Sequence, residues 1–196
     1  MCGRYAFDDI EEIYEVRGFL EEAAANIGSE KATAIKTGEV FPSETAAVLA
    51  QNLGASAMNW GYPLHGTKRI IINARSESIF DKPMFRKSIA NKKCLIPCTG
   101  FFEWQKQEGG KQKYKISLPG EKFFFLAGLF NTFGYGEEAQ DRFVIITAPA
   151  NDAMKDIHHR MPLIVPKNEA DEWLESSVTD IDKIYNLTKE LTKTAV

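Results

Sequence analysis

At 196 residues, the chain is long enough to bury about 70% of its unfolded surface without disulfide or metal staples. One domain over residues 1–196 is expected. Its 44% hydrophobic and 26% charged positions exclude a disordered chain, and a formal net charge of −3 argues against a general nucleic-acid coating protein.

From the N-terminus, Gly3–Phe7 reads as a short strand. Asp8 is placed to cap a helix whose first turn carries Asp9, Glu11 and Glu12, acids that suit the positive end of a helix. Ile10, Ile13, Tyr14 and Leu20 give that helix its apolar stripe. Strand-like runs follow at Thr45–Ala50, Ala55–Tyr62 and Arg69–Asn73. Asp81–Asn91, entered through Lys82-Pro83, reads as a short helix.

Cys94–Gln105 reads as a strand, and Gly109-Gly110 as a hairpin turn into Tyr114–Leu118. Phe123–Phe133 and Arg142–Thr147 are two more apolar strands. Asn151–Ile157 has the look of a helical turn, with strand-like Leu163–Val165 beyond it. Acid-rich Asn168–Ser176 and Thr179–Thr192 are expected as closing helices. Tight turns between strands, with helices near both ends, predict an α+β fold with a mainly antiparallel sheet or open barrel.

Apolar runs such as Phe123–Phe130 fall far short of the ~18 residues that suggest a membrane span. The opening Met1-Cys2-Gly3-Arg4-Tyr5 does not resemble a secretory signal. The odd number of cysteines, three, argues against a disulfide framework. A cytoplasmic protein with no membrane partner is expected.

Charge is unevenly spread. Between Lys68 and Lys115 twelve lysines and arginines face four acids, a local balance of +8 that leaves −11 for the rest. Such a run suits either scattered solvated positions or one basic face on an acidic body.

Cys2 carries the most chemical information. Its small side chain makes Met1 easy to remove, which would leave an amine and a thiol on adjacent carbons. Their ordinary pKa values lie near 8, so both reactive forms are present around neutrality. The amine can form a Schiff base with an aldehyde, and the thiol can then close a thiazolidine ring. Alternatively the thiolate attacks an acyl carbon with the amine as local base. An inert residue at a chain end is the bland reading.

His158-His159-Arg160-Met161-Pro162 contains two of only three histidines, and a loop histidine can serve as general acid or base. Glu103, within Gly100-Phe101-Phe102-Glu103-Trp104, is a carboxylate in apolar company, where its pKa rises toward a useful range. Alternation with Phe102 and Trp104 equally suits a solvent-facing position. Asn73-Ala74-Arg75 ends a strand of isoleucines, where it could orient a reactant or cap a turn. Cys94 and Cys98 share a strand face and read as core cysteines, since C-x₃-C in an apolar strand is not a usual zinc spacing. No metal and no cofactor are expected.

Five blocks in order resemble the SOS response-associated peptidase (SRAP) family, the abasic-site-shielding proteins. They are Met1-Cys2-Gly3-Arg4-Tyr5, Trp60-Gly61-Tyr62 with Ile72-Asn73-Ala74-Arg75-Ser76-Glu77, Cys98-Thr99-Gly100-Phe101-Phe102-Glu103-Trp104, Ile146-Thr147-Ala148, and Ile157-His158-His159-Arg160-Met161-Pro162. The resemblance implies covalent capture, through Cys2, of abasic sites in single-stranded DNA, with abasic-site lyase and self-processing peptidase activities. It implies proton transfer by Glu103, acid–base steps at His158, and orientation of the N-terminus or sugar by Asn73. Arg4, Arg75 and Arg160 match positions that contact DNA phosphates, Trp60 lies in a block near the DNA, and Thr147 is a further site contact. Replication-fork proteins as partners and a monomeric state are expectations of the same kind.

The chain departs from the family pattern at Glu39, where an asparagine is common. It departs again at Pro83 and in the short connection from Trp60 to Ile70. Two rival readings are a glutamine amidotransferase using the same N-terminal nucleophile and a non-catalytic single-strand binder. The first lacks the expected Asn-Gly and Gly-Asp glutamine-site blocks. The second leaves Cys2 without a role.

Overall fold

Strands whose two faces are both apolar dominate the chain, and such strands must be covered on both sides. The computed structural model describes residues 2–8, 14–27, 33–176 and 181–196. The N-terminal half contains β1 (Tyr5–Phe7), α1 (Tyr14–Ile27), β2 (Gly38–Val40), β3 (Thr45–Ala50), β4 (Gly54–Trp60), β5 (Tyr62–Pro63), β6 (Ile70–Ile71), β7 (Asn73–Arg75) and α2 (Pro83–Asn91). Then come β8 (Lys93–Cys98), β9 (Gly100–Gln107), β10 (Gly110–Ser117), β11 (Phe124–Phe133), β12 (Gln140–Pro149), β13 (Arg160–Pro162), β14 (Ile164–Val165), α3 (Ala170–Glu175), α4 (Ile181–Leu187) and β15 (Thr192–Ala195).

The ladder β12-β4-β3-β8-β11 returns to β12 through a β11–β12 pairing, so five strands close into a small barrel. Only the β4–β12 contact within that ring is parallel. The α+β class with a mainly antiparallel sheet holds, and the barrel is closed.

Period-two alternation sorts the barrel side chains. Cys94 and Ile96 of β8, Leu126 and Phe130 of β11, and Phe143 and Ile145 of β12 join one core cluster. Their neighbours Leu95, Ala127, Leu129, Val144 and Ile146 face outward into a second cluster, closed by Phe85 and Ile89 of α2, Trp173 of α3 and Ile184 of α4. Trp173 also donates through Nε1 to the Cys94 carbonyl at 3.1 Å. A second antiparallel sheet, ordered β15-β10-β9-β1-β2, lays Tyr5, Val40, Phe101 and Ile116 on the first cluster.

Gly128 lies where this packing is tightest. A Cβ there would sit 2.5 Å from Ile96 Cδ1 and 2.9 Å from both Cys94 Sγ and the Val144 carbonyl oxygen. Gly128→Ala is therefore expected to destabilise the protein by about 1–3 kcal/mol through overpacking, read as a lower midpoint in urea unfolding. An unchanged midpoint would show that the interior can yield.

Three sequence expectations require correction. Cys94–Gln105 is two strands, because Thr99 breaks the run to donate its N–H to the Ala6 carbonyl at 2.8 Å, sending β8 and β9 into different sheets. Arg69–Asn73 divides at Ile72, whose carbonyl accepts from the Trp60 indole at 3.0 Å and from the Ile145 N–H at 3.1 Å. The last helix ends at Leu187, and Thr192–Ala195 forms β15, whose backbone completes the β10 edge. Residues 9–13, which held the expected first helical turn, lie outside the described residues. Asp8 accepts from Thr99 Oγ1 at 2.8 Å and from Lys115 Nζ at 2.7 Å.

Candidate active site

Strand parity decides which residues meet at the N-terminus. Tyr5 pairs with Phe101, so Phe101 and, two residues on, Glu103 face the barrel with Tyr5. Glu103 is only 3% exposed. The aromatic neighbours that had suggested a solvent-facing acid take the outer face instead. The acid points in and Trp104 points out.

The β1–β9 ladder continues toward the N-terminus through Phe102 N–H to the Arg4 carbonyl, 3.0 Å. Cys2, fully buried, directs its thiol at that same carbonyl, 3.7 Å away. Burial pushes the Cys2 thiol far above its ordinary pKa, and the Glu103 carboxylate adds to the rise. The thiol is therefore protonated at rest and lies within the electrostatic reach of Glu103. Asn73, at the start of β7, donates through Nδ2 to the Cys2 carbonyl at 2.9 Å. The parallel register of β7 on β12, Asn73 opposite Ile145, places that amide.

His158 closes the loop between β12 and β13. The loop is tied by Ala150 N–H to the His159 carbonyl at 3.0 Å and His158 N–H to the Met154 carbonyl at 3.2 Å. Asn151 Nδ2 donates to the Thr188 carbonyl at 2.8 Å, Gln105 Nε2 to the Asp156 carbonyl at 2.9 Å, and Lys193 Nζ to Asp156 Oδ1 at 2.6 Å. The Nδ1 atom of His158 lies 3.0 Å from the Arg160 N–H and 3.1 Å from the Arg160 carbonyl. An Nδ1 without a proton accepts from the first, and an Nδ1–H donates to the second, so the tautomer decides which bond forms.

His159 is exposed and lies 4.3 Å from His158 between ring centroids. Its pKa is lowered, first by the His158 imidazole and then by desolvation, with Glu103 opposing. The influence of Glu103 links this loop to the interior of β9. Asn73 thus bonds Cys2, and the charge of Glu103 is felt both at the Cys2 thiol and at His159, the ring neighbour of His158.

The remaining expected site residues divide by exposure. Arg75 is exposed. Arg4 is half-buried, its guanidinium 4.6 Å from the Phe41 ring centroid and 5.1 Å from that of Trp104. Trp60, in the block expected near DNA, is fully buried between Tyr5 and Phe143. Thr147 and Arg160 also turn inward. Arg160 is 7% exposed and grips Glu77 with both terminal nitrogens, while Nη2 also donates to Thr147 O at 2.7 Å and Oγ1 at 3.1 Å. These residues hold the His158 loop in place.

Sequence reasoning missed Phe41, Trp104 and Lys113 as neighbours of Arg4. Lys111, Lys113 and Lys115 alternate along β10, and that spacing was the available signal for a basic outer face. A cavity of about 480 Å³ opens beside Ser76, Phe80 and Tyr185, but the four chemical residues do not line it. Among the described residues, no three His, Cys, Asp or Glu side chains are grouped to hold a metal ion, and no helix is long and apolar enough to cross a membrane.

Comparison with known proteins follows the same lines. "Abasic site processing protein YoqW" of Bacillus subtilis (strain 168) is 32% identical, over 95% of this chain and 86% of its own length. "Abasic site processing protein YedK" of Escherichia coli (strain K12) is 30% identical, over 91% and 82%. A crystal structure of a protein from Bacteroides thetaiotaomicron covers all of this chain and 92% of its own with a TM-score of 0.81 at 24% identity, which speaks for the fold. The family model described as SOS response associated peptidase (SRAP) matches residues 1–196, and the chain belongs to that family.

Proposed function

We propose that this protein processes abasic sites in single-stranded DNA by capturing them covalently through Cys2. The carrying observation is the placement of Cys2, whose carbonyl is held by Asn73 and whose thiol lies within the influence of a buried Glu103. The names of the relatives, abasic site processing proteins, support the substrate.

Removal of Met1 leaves Cys2 as an N-terminal amine. The amine adds to the C1′ aldehyde of the open-chain sugar, and loss of water gives a Schiff base. The thiol then adds to the imine carbon, its proton passing to nitrogen, and a thiazolidine ring closes. Glu103 carries protons in the carbinolamine and ring-closing steps. His158 is the second acid–base group and serves reversal of the cross-link. Where ring closure lags, abstraction of a C2′ proton from the Schiff base expels the 3′ phosphate, which is the lyase outcome. The peptidase implied by the family is assigned to exposure of Cys2. Arg4 and Arg75 contact phosphates.

The test is incubation with a single-stranded oligonucleotide bearing one abasic site, followed by a denaturing gel. A heat-resistant cross-linked band is expected, absent in Cys2→Ala and in a variant with an extra residue ahead of Cys2. No band from the processed wild type would end the proposal, and ammonia release from glutamine would favour amidotransferase chemistry.

A further inference from the structure

On the outer face of the second sheet, Arg4 belongs to a cluster whose other members, Lys113 and Glu39, have no part in the chemistry above. Residues paired across strands share a face. Glu39 and Gly100 both pair with Ala6, Phe102 pairs with Lys115, and Trp104 pairs with Lys113. This face is opposite to the one Tyr5 and Phe101 lay on the barrel.

Here Lys113 Nζ lies 2.9 Å from each Glu39 carboxylate oxygen, and Arg4 Nη1 lies 3.2 Å from Oε1. The three side chains keep 24%, 38% and 29% of their exposure for Lys113, Arg4 and Glu39 respectively. Both cations also rest on aromatic rings, Arg4 on Phe41 and Trp104, and Lys113 4.0 Å from the Phe102 ring centroid. The aromatic faces hold the two cations in place whether or not the carboxylate is present. One carboxylate bridging two such cations has the chemistry of an occupied anion site.

Resting on the reading above, we propose that Glu39 is an internal stand-in for a DNA phosphate, so that Lys113 and Arg4 together form a phosphate subsite from which Glu39 is displaced when the strand binds. The location suits this role, because Arg4 lies two extended residues, about 7 Å, beyond Cys2, and its carbonyl faces the Cys2 thiol. A purely stabilising role is a weaker account, since a partly exposed ion pair contributes only about 0–1 kcal/mol. Glu39 thereby limits affinity for intact DNA, and the covalent step supplies persistence only where an aldehyde is present.

Fluorescence anisotropy with an intact single-stranded oligonucleotide between 50 and 200 mM salt tests this. Glu39→Gln should bind about five-fold more tightly, with a steeper salt dependence by roughly 0.7 in the log–log slope for one added phosphate contact. Lys113→Gln should weaken binding, and adding Glu39→Gln to it should recover less than in the wild-type background. Melting temperatures identify any variant that has lost its fold, in which case Lys113→Gln alone carries the test. Unchanged or weaker binding by folded Glu39→Gln, or unchanged binding by Lys113→Gln, overturns the inference. Cross-linking of abasic DNA by the wild type, run in parallel, separates the two ideas. A wild type that fails to cross-link while Glu39→Gln binds intact DNA more tightly would remove the proposed function and leave this subsite standing.

Discussion

Glu103→Gln should slow cross-linking to abasic single-stranded DNA by about 100-fold, at the lower end of the usual 10²–10⁴ contribution of a positioned acid–base group. The substitution keeps the side chain's size inside a buried position, so packing changes little, but the amide cannot take or give the proton that carbinolamine collapse and thiol addition require. A second consequence runs in the opposite direction. The Glu103 carboxylate helps raise the Cys2 thiol pKa, after burial, which is the larger cause. Removing that charge lowers the thiol pKa, so Glu103→Gln should be alkylated faster by iodoacetamide at a fixed pH. Quenched time courses on denaturing gels and mass spectrometry of the alkylated protein read the two effects separately. Cross-linking rates within three-fold of wild type would return Glu103 to a packing role.

The strand content of the middle of the chain was legible because alternation is local, and a period of two survives without knowledge of partners. Which face goes inward is not local. Glu103 alternates with Phe102 and Trp104, and a sequence reader places the aromatics inside; pairing of β9 with β1 reverses this, because Tyr5 and Phe101 must cover the barrel. The break at Thr99 was equally hidden, since it depends on a carbonyl at Ala6. β15 pairs Thr192 with Ser117, a contact between distant segments that no window of sequence displays.

The types and blocks of Cys2, Asn73, Glu103 and His158 singled them out in the sequence, yet the burial of Trp60 and Arg160 could not be read from a motif. The basic stretch from 68 to 115 was also only half informative. Lys93 is buried and donates to the Ser176 carbonyl, Lys115 is tied to Asp8 and Lys113 to Glu39. Several of its charges are thus answered by carboxylates or carbonyls of the fold itself.

Arg160→Met should destabilise the fold by about 2–3 kcal/mol at neutral pH, because the buried Thr147 hydroxyl and carbonyl lose their charged donor and Glu77 loses its partner. The loss should depend on pH with a definite sign. Arg160 hydrogen bonds, the largest cause, hold the Glu77 carboxyl down at about 2, against about 4.3 in an unfolded chain. A carboxylate with a depressed pKa contributes its stability above the unfolded value and loses it as pH falls toward the folded one. Glu77 is half-exposed, so after screening this share is about 1 kcal/mol. The gap in melting temperature between wild type and Arg160→Met should therefore narrow between pH 5 and pH 2 without closing, since the Thr147 bonds do not titrate. Cross-link reversal should slow in the variant as well, because the Arg160 side chain anchors the end of the His158 loop to Glu77 and Thr147. A gap that stays constant across that range would assign the whole effect to Thr147 and leave Glu77 a bystander.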